Sequence, residues 1–237
     1  MVRVNAVAVP RVLILETSGR IGYVAVALGD ELRGVRRLDE ARRHARELTP
    51  AMAELLAEQS WRPRDIEAVI VSRGPGSYTG LRVGIMSAKT FAYAAGCALI
   101  AVDTFAALAL QAPSPVSRVD VLADAQQDKV YAQSFVRSAE DWQPASELAI
   151  RKFADWLAGR EPSAWVTGPG LLKWVSHLPA DVPQLDASLW EPQPASLLRL
   201  GLARYRSGQR DDPWTLEPLY LRPSSAEEQW RARSSRR

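Results

Sequence analysis

Histidine and cysteine are nearly missing from this chain of 237 residues, which holds two of the first and one of the second. A lone Cys97 cannot form an intramolecular disulfide, and without neighbouring ligands it makes no zinc site, so a reducing compartment fits best. His44 and His177 fall in different halves with no metal-ligand spacing, and His44 sits among Arg42, Arg43 and Arg46 on a stretch that reads as a solvated helix. There is no His-Glu-x-x-His, no Gly-x-Ser-x-Gly elbow and no Cys-His pair. Nothing pairs a nucleophile with a base. No stretch approaches the ~18 uninterrupted apolar residues of a membrane span. The opening MVRVNAVAVPRVLILE is too interrupted for a signal peptide, so a cytoplasmic protein without membrane contact is expected.

What is present is ordinary for a globular protein. Hydrophobic residues at 47% can bury a core that needs neither metal nor disulfide. The net charge of +3 owes much to the closing RARSSRR. A short basic end is usually a solvated tail, and residues 224–237 are expected to be disordered. A tRNA contact through Arg231, Arg233, Arg236 and Arg237 is the competing reading, although no aromatic-rich RNA module accompanies them.

Three short apolar runs, Val12 to Thr17, Ile21 to Leu28 and Leu32 to Leu38, are separated by Gly and Asp turns and predict an antiparallel meander. A helix is expected over roughly 40–59, with Leu48, Met52, Leu55, Leu56 and Gln59 on one face. Pro50 should kink it, or restart it with Thr49 as N-cap and Pro50 at the first position. Strand 66–72, a glycine loop, helix 81–95 ending at Gly96, strand 98–102 and helix 104–111 complete a first half, residues 1–112. Pro113-Ser-Pro115 marks the linker. A second half, 113–223, opens with strands 118–124 and 129–136 around Gln126-Gln127-Asp128, followed by helices near 153–157 and 195–207 flanking a strand at 164–167. Both halves begin with a hairpin-like pair ending near an acidic residue. The class is mixed α/β, and two such halves suggest an actin-like pair of subdomains with mixed sheets flanked by helices.

The segment Arg73-Gly-Pro-Gly-Ser-Tyr-Thr-Gly-Leu-Arg-Val-Gly84 is the most informative. A strand feeding a glycine loop feeding a helix leaves the first helical N–H groups unpaired, where they can hold an anion. Candidate phosphate-binding residues are therefore Gly74, Gly76, Ser77, Thr79 and Gly80, joined by Thr17, Ser18 and Gly19 from the turn after the first strand. Two plainer readings stand beside this one. Ser77 and Thr79 could cap the helix, and the glycines could serve tight strand-to-helix packing. The spacing is one residue off the dinucleotide fingerprint and lacks the Gly-Lys-Ser/Thr ending of a P-loop. Asp103 and Asp124 end strands and could touch magnesium, but such aspartates more often cap the next turn.

The helix after the loop is apolar nearly all round, with long polar side chains only at Arg82 and Lys89. Such a helix is fully buried, or it has one face on its own core and another on a partner. Val83, Met86, Thr90 and Tyr93 would line that partner face, together with Leu48, Met52, Leu55 and Leu56 of the preceding helix. Two helices from each protomer would form a four-helix interface.

The opening ILETS, the block SRGPGSYTGLRVGI, the stretch ALIAVDTFAALA, the hairpin DAQQDKVYA and the late EPLYLR together resemble the TsaB family. They run in the family's order over roughly residues 11–223, and the Ser-Tyr-Thr glycine block is the most specific. The resemblance implies an actin-like (ASKHA, RNase H-like) fold and a non-catalytic scaffold that binds the catalytic paralogue TsaD and the ATPase TsaE. It implies a requirement in N6-threonylcarbamoylation of the adenosine beside the anticodon, in tRNAs reading codons that start with A. It further implies a homodimer when TsaD is absent, tRNA contact through the complex, no intrinsic cofactor, and ATP or ADP bound only in the complex. Two metal-binding histidines of TsaD align with Thr104 and Leu108, which can hold neither iron nor zinc, so no metal is expected. Glu16 stands where the family usually has Asp, and Gln126 where it usually has Arg. An actin-like ATPase or kinase acting alone is the alternative function, and a glycoprotease-like metallopeptidase a weaker one.

Overall fold

The computed structural model of the chain describes residues 9–38, 46–139 and 141–221. His44, Arg42, Arg43, the start of the helix expected from residue 40 and the tail expected at 224–237 lie outside the described residues.

The meander forms as β1 (Arg11–Glu16), β2 (Gly22–Leu28) and β3 (Glu31–Leu38), paired antiparallel. Next come α1 (Leu48–Glu58), β4 (Ala68–Ser72), α2 (Tyr78–Ala95), β5 (Ala98–Val102) and α3 (Thr104–Leu110). β4 pairs parallel with β1, and β5 with β4, so the first sheet runs β3-β2-β1-β4-β5. α2 stops at Gly96, whose φ of 71° is the left-handed conformation that a glycine adopts without strain.

A second sheet follows from β6 (Arg118–Asp124), β7 (Lys129–Ser138), β8 (Asp141–Pro144) and β9 (Ala149–Lys152). α4 (Phe153–Gly159), β10 (Trp165–Thr167), α5 (Leu171–Trp174) and α6 (Pro194–Arg206) complete the described elements. Its order is β10-β6-β7-β8, with β9 also paired to β7. The path repeats that of the first sheet. An antiparallel pair is extended outward on one side, and a parallel strand joins the first strand on the other. Two mixed sheets flanked by helices are the expected class, and the shared path accounts for the similar openings of the two halves.

α1 begins at Leu48 rather than at Pro50, and its N-cap is Glu47 rather than Thr49. The first helical bond, from Ala51 N to Glu47 O at 2.9 Å, falls one residue after the proline. Pro50 therefore sits within the first turn, where its missing N–H has no intrahelical partner to lose, and no kink is needed.

Alternation along the strands divides the core. Leu13, Leu15, Val24, Val26, Val69 and Val71 face α1 and α2, while Val12, Ile14, Ala25, Ala27, Ile70 and Ile100 face Leu197, Leu198 and Leu202 of α6. α6 belongs to the expected second half by position in the chain, yet it packs on the first sheet. α3 is the layer between the sheets, with Ala107 toward the first and Phe105, Leu108 and Ala109 toward the second. α4 and α5 close the far side of the second sheet around Phe153, Trp156 and Trp174.

Beyond α6 the chain returns along the first sheet. Asp211 N donates to Leu99 O at 2.9 Å and Ala101 N donates to Asp211 Oδ2 at 2.7 Å, which covers the β5 edge. Lys89 Nζ then donates to Leu216 O at 2.8 Å, and Leu219 N to Arg73 O at 2.7 Å. The late EPLYLR stretch is thus fastened to the glycine loop.

Candidate functional site

The turn after β1 packs directly on the glycine block. Thr17 and Ser18, just past the end of β1, lie directly on the glycine block. Thr17 Oγ1 donates to Gly80 O at 2.8 Å, and Ser77 N donates to Ser18 O at 2.7 Å. A Cβ placed at Gly76 would stand 2.5 Å from Ser18 O, and one at Gly80 or Gly84 would overlap Thr17 O or Thr17 Oγ1. Glycines at 76, 80 and 84 are spaced by four, so those on α2 present one face of the helix to the β1 turn. Close backbone approach is what these glycines permit.

Two amides of the loop, Ser77 N and Gly80 N, are engaged within the protein. Ser77 is the N-cap of α2, and its Oγ accepts from Gly80 N at 3.2 Å. Thr79 is exposed and does not cap the helix. Gly74 takes a φ of 113°, its peptide bond to Pro75 is cis, and its carbonyl accepts from Thr104 N at 3.0 Å. Arg73 Nε lies 2.5 Å from Asp103 Oδ1, so Asp103 anchors the loop's entry. Asp124 accepts from Gln126 N at 3.1 Å and pairs with Lys173 Nζ at 3.1 Å, the turn-capping role expected of a strand-end aspartate.

Glu16 is the chemically distinctive group. It is fully buried at the end of β1, and Oε1 accepts from both Ser18 N and Ser18 Oγ at 2.5 Å. Burial raises its pKa from 4.5 to about 7, opposed by the Ser18 and Ser72 hydroxyls and the Ser18 and Gly19 amides. Its Oε2 and the Ser72 hydroxyl are both buried without a hydrogen bond of good geometry. The Glu191 carboxylate packs against Gly19, where a Cβ would overlap it. Two carboxylates, those of Glu16 and Glu191, therefore stand at this turn.

Among the described residues no three His, Cys, Asp or Glu side chains are grouped to hold a metal ion. Thr104 and Leu108 are buried, the latter in the core between α3 and the second sheet. Burial pushes the Cys97 thiol up to about 11, away from thiolate reactivity. No helix of the described residues is long and apolar enough to cross a membrane.

The expected partner face divides between the two helices. Leu48, Met52, Leu55 and Leu56 are core residues packed on the first sheet, so they offer no surface. The expectation of a shared two-helix patch is corrected here, because the apolar stripe of α1 is the one that its own sheet requires. α2 differs. Gly80, Leu81, Gly84, Ile85, Ala88 and Ala92 face inward, Val83 is half-buried, and Met86, Thr90 and Tyr93 point outward.

Met86 is 59% exposed, Tyr93 73% and Trp214 78%, which are high values for side chains of this size. Trp214 meets Tyr93 edge-on at 5.7 Å. At the other end of α2, Tyr220 stacks at a tilt on Tyr78 at 5.0 Å, and Arg82 Nε donates to Tyr220 Oη at 2.9 Å. Sequence reading notes the EPLYLR motif that holds Tyr220 but gives neither Tyr220 nor Trp214 a role, because nothing local places residues 210–221 beside α2.

A family model described as "TsaD: tRNA N6-adenosine threonylcarbamoyltransferase" matches residues 26–173. The chain belongs to this family, as a TsaB-type member. The tRNA threonylcarbamoyladenosine biosynthesis protein TsaB of Bacillus subtilis is 26% identical over 195 residues, covering 79% of this chain and 83% of its own. The protein of the same name from Haemophilus influenzae is 25% identical over 230 residues, covering 89% and 92%. The solved structure of YeaZ from Pseudomonas aeruginosa superposes with a TM-score of 0.77 at 26% identity, over 90% of this chain and all of that one. The fold is actin-like, with two mixed sheets flanked by helices.

Proposed function

We propose that this chain is a non-catalytic scaffold in tRNA threonylcarbamoyladenosine biosynthesis, the process that its TsaB relatives are named for. It docks TsaD on the outer face of α2, centred on Met86 and Tyr93 and extended by Trp214. TsaE joins the assembled complex, tRNA is met there, and a second copy of this chain takes TsaD's place when TsaD is absent. The observation carrying this reading is the exposure of Met86 and Tyr93 on one face of α2, with the exposed Trp214 set against Tyr93. Aromatic and methionine side chains of this kind are enriched at interface cores.

Autonomous nucleotide chemistry has weaker support. Ser77 N and Gly80 N, two donors that an anion would need, are already bonded to Ser18 O and Ser77 Oγ, and a buried carboxylate stands beside the loop. ATP or ADP is therefore assigned to the complex with TsaD and TsaE.

The test is co-elution with TsaD on size-exclusion chromatography, comparing the native chain with a Met86→Asp, Tyr93→Asp double variant. The native chain should co-elute. The variant should keep its circular dichroism and thermal midpoint and elute alone. Unchanged co-elution of a folded double variant would show that the docking face lies elsewhere.

A further inference from the structure

A polar cavity of about 290 Å3 opens beside the second sheet, in a different layer from α2. Its origin lies in alternation along β6. Arg118, Asp120 and Leu122 share one face, and Leu122 is covered by Phe153 and Trp156 of α4. α4 is only seven residues long and ends at Gly159, so the start of β6 is left to polar neighbours. Ser134 of β7, Arg151 of β9 and Arg160 after α4 complete the wall.

Three cationic side chains, Arg118, Arg151 and Arg160, face two acidic ones, Asp120 and Glu161. Nε of Arg118 and Nε of Arg160 are buried and have no hydrogen-bond acceptor in the protein, although Arg160 Nη2 donates to Ala164 O. Both Nε atoms are closed to solvent as these side chains stand, so an anion in the cavity would be met by the other guanidinium N–H groups and by the exposed Arg151. The carboxylate of Asp120 is buried, accepts from Ser134 Oγ at 2.6 Å, and is pushed up by burial toward its neutral form. Glu161 is the other acidic residue of the wall, against the guanidinium groups of Arg118, Arg151 and Arg160. Three guanidinium groups lining one space suit a multiply charged oxyanion better than a singly charged carboxylate.

We propose that this cavity binds a phosphate group, held by Arg118, Arg151 and Arg160. The phosphate belongs either to a small phosphate ester or to an RNA backbone. Isothermal calorimetry on the full chain with inorganic phosphate, with AMP and with a short single-stranded RNA separates these sources. Saturable binding of inorganic phosphate and AMP identifies the small ester, whereas binding of the RNA alone identifies the backbone.

In either case Arg151→Gln and Arg118→Gln should each weaken the affinity about tenfold, as expected for loss of one charge-assisted contact. Arg151 is exposed, so its variant keeps the fold even if the Arg118 variant does not. Absence of saturable binding by all three probes, or unchanged affinity in a folded Arg151→Gln protein, overturns the assignment. None of these measurements needs TsaD, so their outcome is independent of docking.

Discussion

Glu16→Gln is the substitution whose consequence can be worked furthest. Burial raises the folded-state pKa of Glu16 to about 7, against an ordinary 4.5. Between these values the folded chain keeps a proton that the unfolded chain releases, so the group makes stability fall as pH rises. At ~1.4 kcal/mol per unit, the whole displacement is worth about 3 kcal/mol, of which roughly 2–3 kcal/mol is lost between about pH 5 and pH 8. Glutamine keeps the shape and cannot ionise. Its amide oxygen can accept from Ser18 as Oε1 does, and its amide nitrogen can face the unsatisfied Ser72 hydroxyl.

Urea unfolding of both proteins across that pH range measures the difference directly, and every other titrating group cancels in the comparison. The variant should gain on the native protein steadily from about pH 5, reaching an advantage of about 2–3 kcal/mol at pH 8. A constant difference, or a native protein that gains on the variant with rising pH, would mean that Glu16 is ionised when folded and that its surroundings have been misjudged.

Three further outcomes follow from packing. Gly80→Ala drives a Cβ into Thr17 O at a junction with backbone on both sides, so thermal or urea unfolding should show a loss of about 1–3 kcal/mol or more. Met52→Asp buries an uncompensated charge beneath α1 and should abolish soluble folded protein, whereas Met86→Asp alone should leave the unfolding midpoint nearly unchanged. Leu55→Ala, at a fully buried position between α1 and the first sheet, should cost about 2–5 kcal/mol by the same measurement.

Much of the fold is legible because the strands of the first sheet are short apolar runs separated by turns, and the glycine block is bracketed by a strand and a capped helix. β8 and β9 are not legible, since DWQP and AIRK are four-residue strands without an alternating pattern. The destination of α6 is hidden for another reason. Periodicity shows that Leu197, Leu198 and Leu202 share a face, but not that Val12, Ile14 and Ile70, far away in sequence, receive it. The same blindness explains α1 and α2. Both carry an apolar stripe in the sequence, and only the tertiary arrangement shows that the α1 stripe is consumed by the sheet. For the glycine loop, the residues that permit a phosphate to approach equally permit Thr17 and Ser18 to approach, so sequence alone left the two readings level.

The segment from 210 to 221 gives α2 its asymmetry. Small inward residues let α2 sit close on the sheet, and the glycines at 80 and 84 bring it onto the β1 turn. One flank is then covered by Leu216, whose carbonyl takes Lys89 Nζ, and the ends are bracketed by Tyr220 and Trp214. Tyr220 is held by both a ring contact and a hydrogen bond from Arg82, so it is structural in the isolated chain. Trp214 is fixed by its backbone N–H to Asp212 Oδ1 at 2.9 Å and by the edge of Tyr93, while most of its ring faces water. Trp214→Ala should therefore change the unfolding midpoint little, because little burial is lost, yet weaken co-elution with TsaD. A variant that loses stability without losing TsaD would show that the indole serves the C-terminal segment alone, and would confine the docking face to α2 itself.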